Sequence, residues 1–139
     1  MNLWILDTEH LSLLQRGHLK IRQRLTMIKP QEIAINIISA EEQIRGRLGI
    51  IRRANSSNEL VLAYRRLKEL LDELETINVL DFIPEASLIY GDLMQQKIRI
   101  GTRDLRIAAI VLAVQGTLVT RNHRDFERVP GLKVEDWTV

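Results

Sequence analysis

Gly101-Thr102-Arg103-Asp104-Leu105-Arg106-Ile107-Ala108-Ala109-Ile110-Val111-Leu112-Ala113-Val114-Gln115-Gly116-Thr117-Leu118-Val119-Thr120 joins a helix too apolar to lie on a surface to a strand directly behind it. Arg103 to Val114 reads as helix, and its apolar residues run almost all the way round, so most of its faces must be buried. Gly116 ends it, and Thr117 to Thr120 reads as a short strand. A buried helix feeding a strand is the pattern of a layered α/β protein.

Working outward, the same alternation recurs. Leu3-Trp4-Ile5-Leu6 is a continuous apolar run of the kind a strand buried on both faces shows, and it stops at Asp7. Thr8 to Leu25 accommodates two short helices broken at Gly17. Ile33 to Ile38 is a second β-type run, and Ser39 is a suitable N-cap that places Glu41 and Glu42 in the first turn of a helix to Arg53. Asn58 to Glu75 forms a second amphipathic helix, with Leu60, Ala63, Tyr64, Leu67, Leu71 and Leu74 at three- and four-residue steps. Ile77 to Leu80 predicts a third strand, Pro84 a helix start with an end near Lys97, and Leu132 to Val134 a short fifth strand. The expected fold is a three-layer α/β/α unit around a mostly parallel sheet of four to five strands. It takes in residues 1–139 as a single domain, with a helical hairpin at about 39–75 facing a partner or a second copy.

Composition narrows the function classes. A chain of 139 residues with 45% hydrophobic and 27% charged residues carries enough apolar material for one core, which excludes a disordered tail. It has no cysteine, so any metal must be held by oxygen or imidazole, and a reducing cytoplasm is compatible. The apolar run Met1 to Leu6 lacks a basic leader, and Ile107 to Val114 is too short to span a bilayer, so no signal peptide or membrane segment is expected. The net charge of +2 and the pI of about 9.2 lean basic, which suits a polyanionic partner.

Asp7, Glu42, Asp104 and Asp125 fall where strands should hand over to helices. In an open α/β sheet with right-handed crossovers those junctions collect along one edge, where ligands bind. Two carboxylates about 5 Å apart repel by on the order of 3 kcal/mol at an effective dielectric near 20. No lysine or arginine is obligatorily placed among the four, so a hard divalent cation, Mg2+ or in its place Mn2+, is the natural counter-charge. The implied chemistry is metal-assisted phosphodiester hydrolysis. Arginines surround the acids: Arg45 follows Glu42, Arg103 and Arg106 flank Asp104, and Arg121 and Arg124 flank Asp125, a positive rim suited to a nucleic-acid backbone.

Other readings compete. Any one of these acids could simply cap a helix, and Glu41 competes with Glu42 for the second position. Glu9 reads as solvated. His10, His18 and His123 have no metal-pair spacing and read as ordinary surface or turn residues. A phosphoacceptor receiver-type signalling domain would use Asp81, Thr120 and Lys133, but leaves Glu42, Asp104 and the Thr120 to Asp125 turn unexplained. A non-catalytic RNA- or protein-binding module is a third reading.

The strings Leu6-Asp7-Thr8, Glu42-Gln43-Ile44-Arg45-Gly46, Ile100 to Ala109 and Leu118-Val119-Thr120-Arg121-Asn122-His123-Arg124-Asp125-Phe126 resemble the motifs of the PIN-domain family, and among its members the VapC-type toxins of type II toxin-antitoxin pairs. The likeness runs on through Val129-Pro130-Gly131 to Trp137. It implies a magnesium-dependent endoribonuclease acting on tRNA or another structured RNA, cytoplasmic, inhibiting translation, dimeric and silenced by a cognate antitoxin. It implies products with a 5′ phosphate and a 3′ hydroxyl. Residue by residue it makes Asp7, Glu42, Asp104 and Asp125 the catalytic acids, with Asp7 and Asp104 foremost as metal ligands. Thr8, Thr120 and Asn122 become their supports, and Arg45, Arg103, Arg121 and Arg124 contacts to RNA or antitoxin.

Overall fold

A computed structural model describes residues 2–139, so Met1, at the head of the apolar N-terminal run, lies outside the described residues. Five parallel strands, β1 (Trp4–Leu6), β2 (Ile33–Asn36), β3 (Asn78–Leu80), β4 (Thr117–Val119) and β5 (Lys133–Glu135), make one sheet in the order β3-β2-β1-β4-β5. Parallel neighbours need crossovers, and helices supply them. α1 (Thr8–Gln15) and α2 (Leu19–Leu25) follow β1, α3 (Ile37–Arg53) and α4 (Ser57–Leu74) follow β2, α5 (Pro84–Gln95) and α6 (Thr102–Ala113) follow β3, and α7 (His123–Phe126) follows β4. This is the expected three-layer α/β/α fold.

The chain winds outward from β1 to β3, then returns to lay β4 on the other side of β1. The strand order therefore reverses between β1 and β4, the place where open α/β sheets bind ligands. Leu6 pairs with Val119 across that junction, and the Asp7 amide donates to the Val119 carbonyl at 3.0 Å. The exits of the two strands are thus locked side by side.

Alternation along the strands divides the core. Ile5, Ala34 and Leu118 face one layer, against Ala86, Leu93 and the buried run Ile107 to Val111 of α5 and α6. Their neighbours Leu6, Ile35 and Val119 face the other, with Leu11, Ile21, Ala40 and Trp137. Each fully buried aliphatic side chain contributes roughly 1.5–3 kcal/mol, so α6 is anchored along its length. Gly116 lets β4 enter beside β1: a Cβ there would lie 2.9 Å from the Leu3 carbonyl oxygen and 2.5 Å from Ile5 Cδ1.

Three expectations need correction. α3 starts at Ile37, not Ser39, because Asn36 is the N-cap; its Oδ1 accepts from the Ser39 amide at 3.0 Å and its Nδ2 donates to Ser39 Oγ at 3.2 Å. The β-branched pair Ile37-Ile38 mimics strand, but the capping bonds win. Glu41 and Glu42 consequently sit in the second turn of α3. Asp104 does not follow a strand: α6 comes after α5, and it is the crossover that carries its N-terminus to the site. On α4 the buried line is Ala63 and Leu70, whereas Leu60, Tyr64 and Leu71 are exposed on the hairpin.

Candidate active site at the strand-order reversal

Asp7 leaves β1 and caps α1. Its Oδ1 accepts from the His10 amide at 2.7 Å and faces the His10 ring Nδ1 at 3.1 Å. An aspartate that accepts from the free amide three residues on is a favoured cap, so the local sequence alone dictates this geometry. Its Oδ2 has no hydrogen bond among the described residues.

Beside it, Thr120 leaves β4 fully buried, tied by its amide to the Glu135 carbonyl at 2.8 Å. Thr120 Oγ1 accepts from the Asn122 amide at 3.0 Å, and Asn122 caps α7. The Asn122 Nδ2 donates to Asp125 Oδ2 at 3.1 Å, while the Asp125 amide donates to Asn122 Oδ1 at 3.4 Å. Thr120 shapes the turn, the turn places Asn122, and Asn122 holds Asp125.

Glu42 and Asp104 come from helices. Thr8 Oγ1 donates to Glu42 Oε2 at 3.3 Å, and Arg103 lies 3.7 Å from Glu42 Oε1. Of the arginines expected to flank the acids, Arg103 stands among them, carried in by α6 with Asp104. Burial pushes the Glu42 carboxyl above the usual carboxylate range; Arg103 and Thr8 pull it back, and the charges of Asp104 and Asp7 push it further up. Asp104 is likewise raised, chiefly by burial, then by the charges of Asp125 and Asp7, against a smaller opposing pull from Arg103. These cross-influences place all four acids in one electrostatic environment. The capping alternative accounts for Asp7 alone: Asn36, Gly101 and Asn122 cap the helices that carry the other three.

The flanking residues sort themselves. Glu41 is exposed and pairs with Arg45 at 2.8 Å, which leaves Glu42 as the acid facing Thr8 and Arg103. Glu9 is exposed to solvent, as expected, and pairs with Arg121 at 3.1 Å. Arg121 and Arg124 are exposed beside Asp125. His10 departs from the sequence reading: it is completely buried beneath Asp7, and the i, i+3 step from Asp7 across a helix start was the signal for it. The receiver reading fails on topology. Asp81 follows β3 at one sheet edge, while Lys133 opens β5 at the other edge, paired with Thr117 at the far end of β4 from Thr120.

A divalent cation fits this donor set. The acids are oxygen ligands of one sign, two of them already strained toward protonation, and Mg2+ takes few carboxylates while keeping water. Among the described residues no three carboxylate or imidazole groups are drawn together into a ready cage.

Known proteins carry the same arrangement of chain. Residues 5–132 match the PIN domain. The chain is 30% identical over 142 residues to Ribonuclease VapC1 of Haemophilus influenzae (strain R2866), covering 98% of each. It is 38% identical over 68 residues to Ribonuclease VapC2 of Rickettsia felis, a match spanning 46% of this chain and 51% of that one. A solved structure of VapBC-1 from nontypeable Haemophilus influenzae superposes with a TM-score of 0.78 at 26% identity, covering 99% of both chains.

Proposed function

This chain belongs to the PIN-domain family, and on that premise we propose that it is the endoribonuclease of a toxin-antitoxin pair, hydrolysing RNA phosphodiester bonds at the acidic pocket with the help of a divalent cation. The observation that supports the reading is that Glu42 and Asp104 are raised by burial and by the charges of their acidic neighbours, Asp7 acting on both and Asp125 on Asp104. Such a pocket is costly until positive charge enters it.

Asp7 and Asp104 would hold Mg2+, or Mn2+ in its place, and Glu42 and Asp125 would complete the acidic site, holding a second ion or orienting the attacking water. When bound, the cation neutralises phosphate charge and acidifies that water. Arg103 at the pocket, and Arg121 and Arg124 on the exposed turn, take phosphates of the RNA backbone. Thr120 and Asn122 keep Asp125 in place, and Thr8 steadies Glu42. The substrate is tRNA or another structured RNA, its cleavage inhibits translation, and the protein works in the cytoplasm; no helix among the described residues is long and apolar enough to cross a membrane.

The hairpin of α3 and α4 exposes Leu48, Leu60, Tyr64 and Leu71, an apolar face unusual for a surface left in water. It serves the cognate antitoxin and a second copy of the chain, with Arg45 at its margin.

The test is cleavage of a tRNA pool by the purified chain with Mg2+ or with chelator. Wild type is expected to release fragments with 5′ phosphate ends only in the presence of metal. Asp7→Asn and Asp104→Asn should each lose on the order of 100- to 1,000-fold in rate, comparable to removing one preorganised electrostatic group elsewhere. Undiminished cleavage by either variant refutes its assignment, and chelator-resistant cleavage refutes the cation.

A further inference from the structure

The His10 side chain is 0% exposed and belongs to no apolar cluster's needs: both ring nitrogens meet polar groups. Nε2 accepts from the Trp137 backbone amide at 3.2 Å. An amide nitrogen only donates, so Nε2 carries no proton in that bond, and the proton of the neutral ring must sit on Nδ1. Nδ1 faces Asp7 Oδ1 at 3.1 Å and therefore donates to it. The same oxygen also receives the His10 amide at 2.7 Å, so one residue supplies two donors to Oδ1. The capacity left on Asp7 lies chiefly on Oδ2.

What fixes the ring is a segment far away in sequence. Trp137 is buried against Trp4, with ring centroids 5.8 Å apart, and its Nε1 donates to Glu135 Oε1 at 3.0 Å. Glu135 is gripped by Arg24 at 2.8 Å, and its carbonyl accepts from the Thr120 amide at 2.8 Å. Asp136, whose Oδ1 lies 3.6 Å from His10 Nε2, is already engaged by the Thr138 amide and hydroxyl at 2.8 and 2.6 Å. Residues 135–137 thus reach both strand exits of the site, one through Thr120 and one through His10.

We propose that His10 is a positioning residue for the metal-binding carboxylate: its Nδ1–H, held in that tautomer by the Trp137 amide, pins Asp7 Oδ1 and leaves Oδ2 to the cation. The role rests on the cation-dependent reading of the acidic pocket. Partners of this kind, which orient a ligand without touching the metal, are typically worth roughly 10- to 100-fold in metal affinity.

The experiment uses the whole chain without RNA and takes Mn2+ as probe. Long-range 15N correlation of the metal-free wild type should show His10 neutral with the proton on Nδ1; a proton on Nε2 overturns the proposal. Titration calorimetry then compares two variants that each keep one of the two bonds. His10→Asn places an amide donor near the Nδ1 position, and His10→Gln places its amide near the Nε2 position. Expected is Mn2+ affinity within about threefold of wild type for His10→Asn and about tenfold or more weaker for His10→Gln, whatever their order in thermal stability. Affinities that are equal in the two folded variants, or that reverse this order, overturn the positioning role and leave the site reading intact. A wild type that binds no Mn2+ overturns both.

Discussion

The two halves of the acidic pocket are built on opposite principles. At the strand exits, Asp7 is held by two donors from His10 and Asp125 by Asn122, with bonds of 2.7 to 3.4 Å. On the helices, Glu42 has only a 3.3 Å hydroxyl and an arginine at 3.7 Å, and Asp104 accepts no hydrogen bond among the described residues; both carboxyls are raised by burial before anything else. Donors fix geometry in advance, whereas buried charge without donors raises the energy of the free protein. One half therefore supplies aim and the other supplies appetite for a cation.

Sign of the stability change is the sharpest way to break that contrast, and it accompanies the largest loss of activity. Asp104→Asn should reduce RNA cleavage on the order of 100- to 1,000-fold while raising the melting temperature of the metal-free protein, since it deletes a crowded charge. Asp7→Ala should lose as much cleavage but melt lower, because the α1 cap is worth about 1–2 kcal/mol and the His10 ring donor is orphaned with it. Thermal melts in chelator read both. An Asp104→Asn protein that melts below wild type erases the distinction between the halves.

A smaller effect tests the strand-exit half alone. Asn122→Ala removes the α7 cap and the donor to Asp125, at a cost of about 1 kcal/mol in urea denaturation. Because Asp125 then loses its orientation, cleavage should fall by roughly tenfold, the scale of an outer-shell partner. Unchanged cleavage alongside the stability loss would mean that Asn122 shapes the turn and does not aim the acid.

Legibility in the sequence cut across the two halves. Asp104 and Asp125 stood out because each is embedded in a local string, Gly101 to Ala109 and Leu118 to Phe126, whose neighbours form one helix start and one turn. Local order in the sequence became local order in space. Glu42 was legible as a residue but misplaced by a turn, since Ile37-Ile38 reads as strand until the Asn36 cap is known to bind Ser39. His10 was legible only as the residue one helical step from Asp7, not as a buried group with a fixed tautomer. Its meaning depends on the Trp137 amide, 127 residues away, and no spacing rule reaches that far. The hairpin stripe failed for a related reason: periodicity marks the apolar face of α4, but how much of it one neighbouring helix covers is a tertiary fact, and Leu60, Tyr64 and Leu71 are left exposed.

The smallest expected effect is in the pH dependence of metal-free stability, and its sign follows from the helix-borne acids. Their folded values lie above the ordinary 3.8 of Asp104 and 4.5 of Glu42, so between the unfolded and folded values the native state binds more protons than the unfolded chain. Stability must then fall as pH rises through that window. The favourable contribution is complete below the unfolded values and gone above the folded ones. Asp136, whose burial raises it but is outweighed by the Thr138 hydrogen bonds and the nearby charge of Arg121, is lowered; it works in the opposite direction and is lost as pH falls below its ordinary 3.8. Subtracting wild type from Asp104→Asn in urea melts cancels Asp136, since both proteins carry it. The variant's advantage should be near zero where Asp104 is protonated and grow with pH until Asp104 is ionised. Saturating Mn2+ should reverse it, because the ion binds the native wild type and restores what the buried charge took away. A difference that is flat with pH would mean that Asp104 is not under the strain assigned to the helix-borne half.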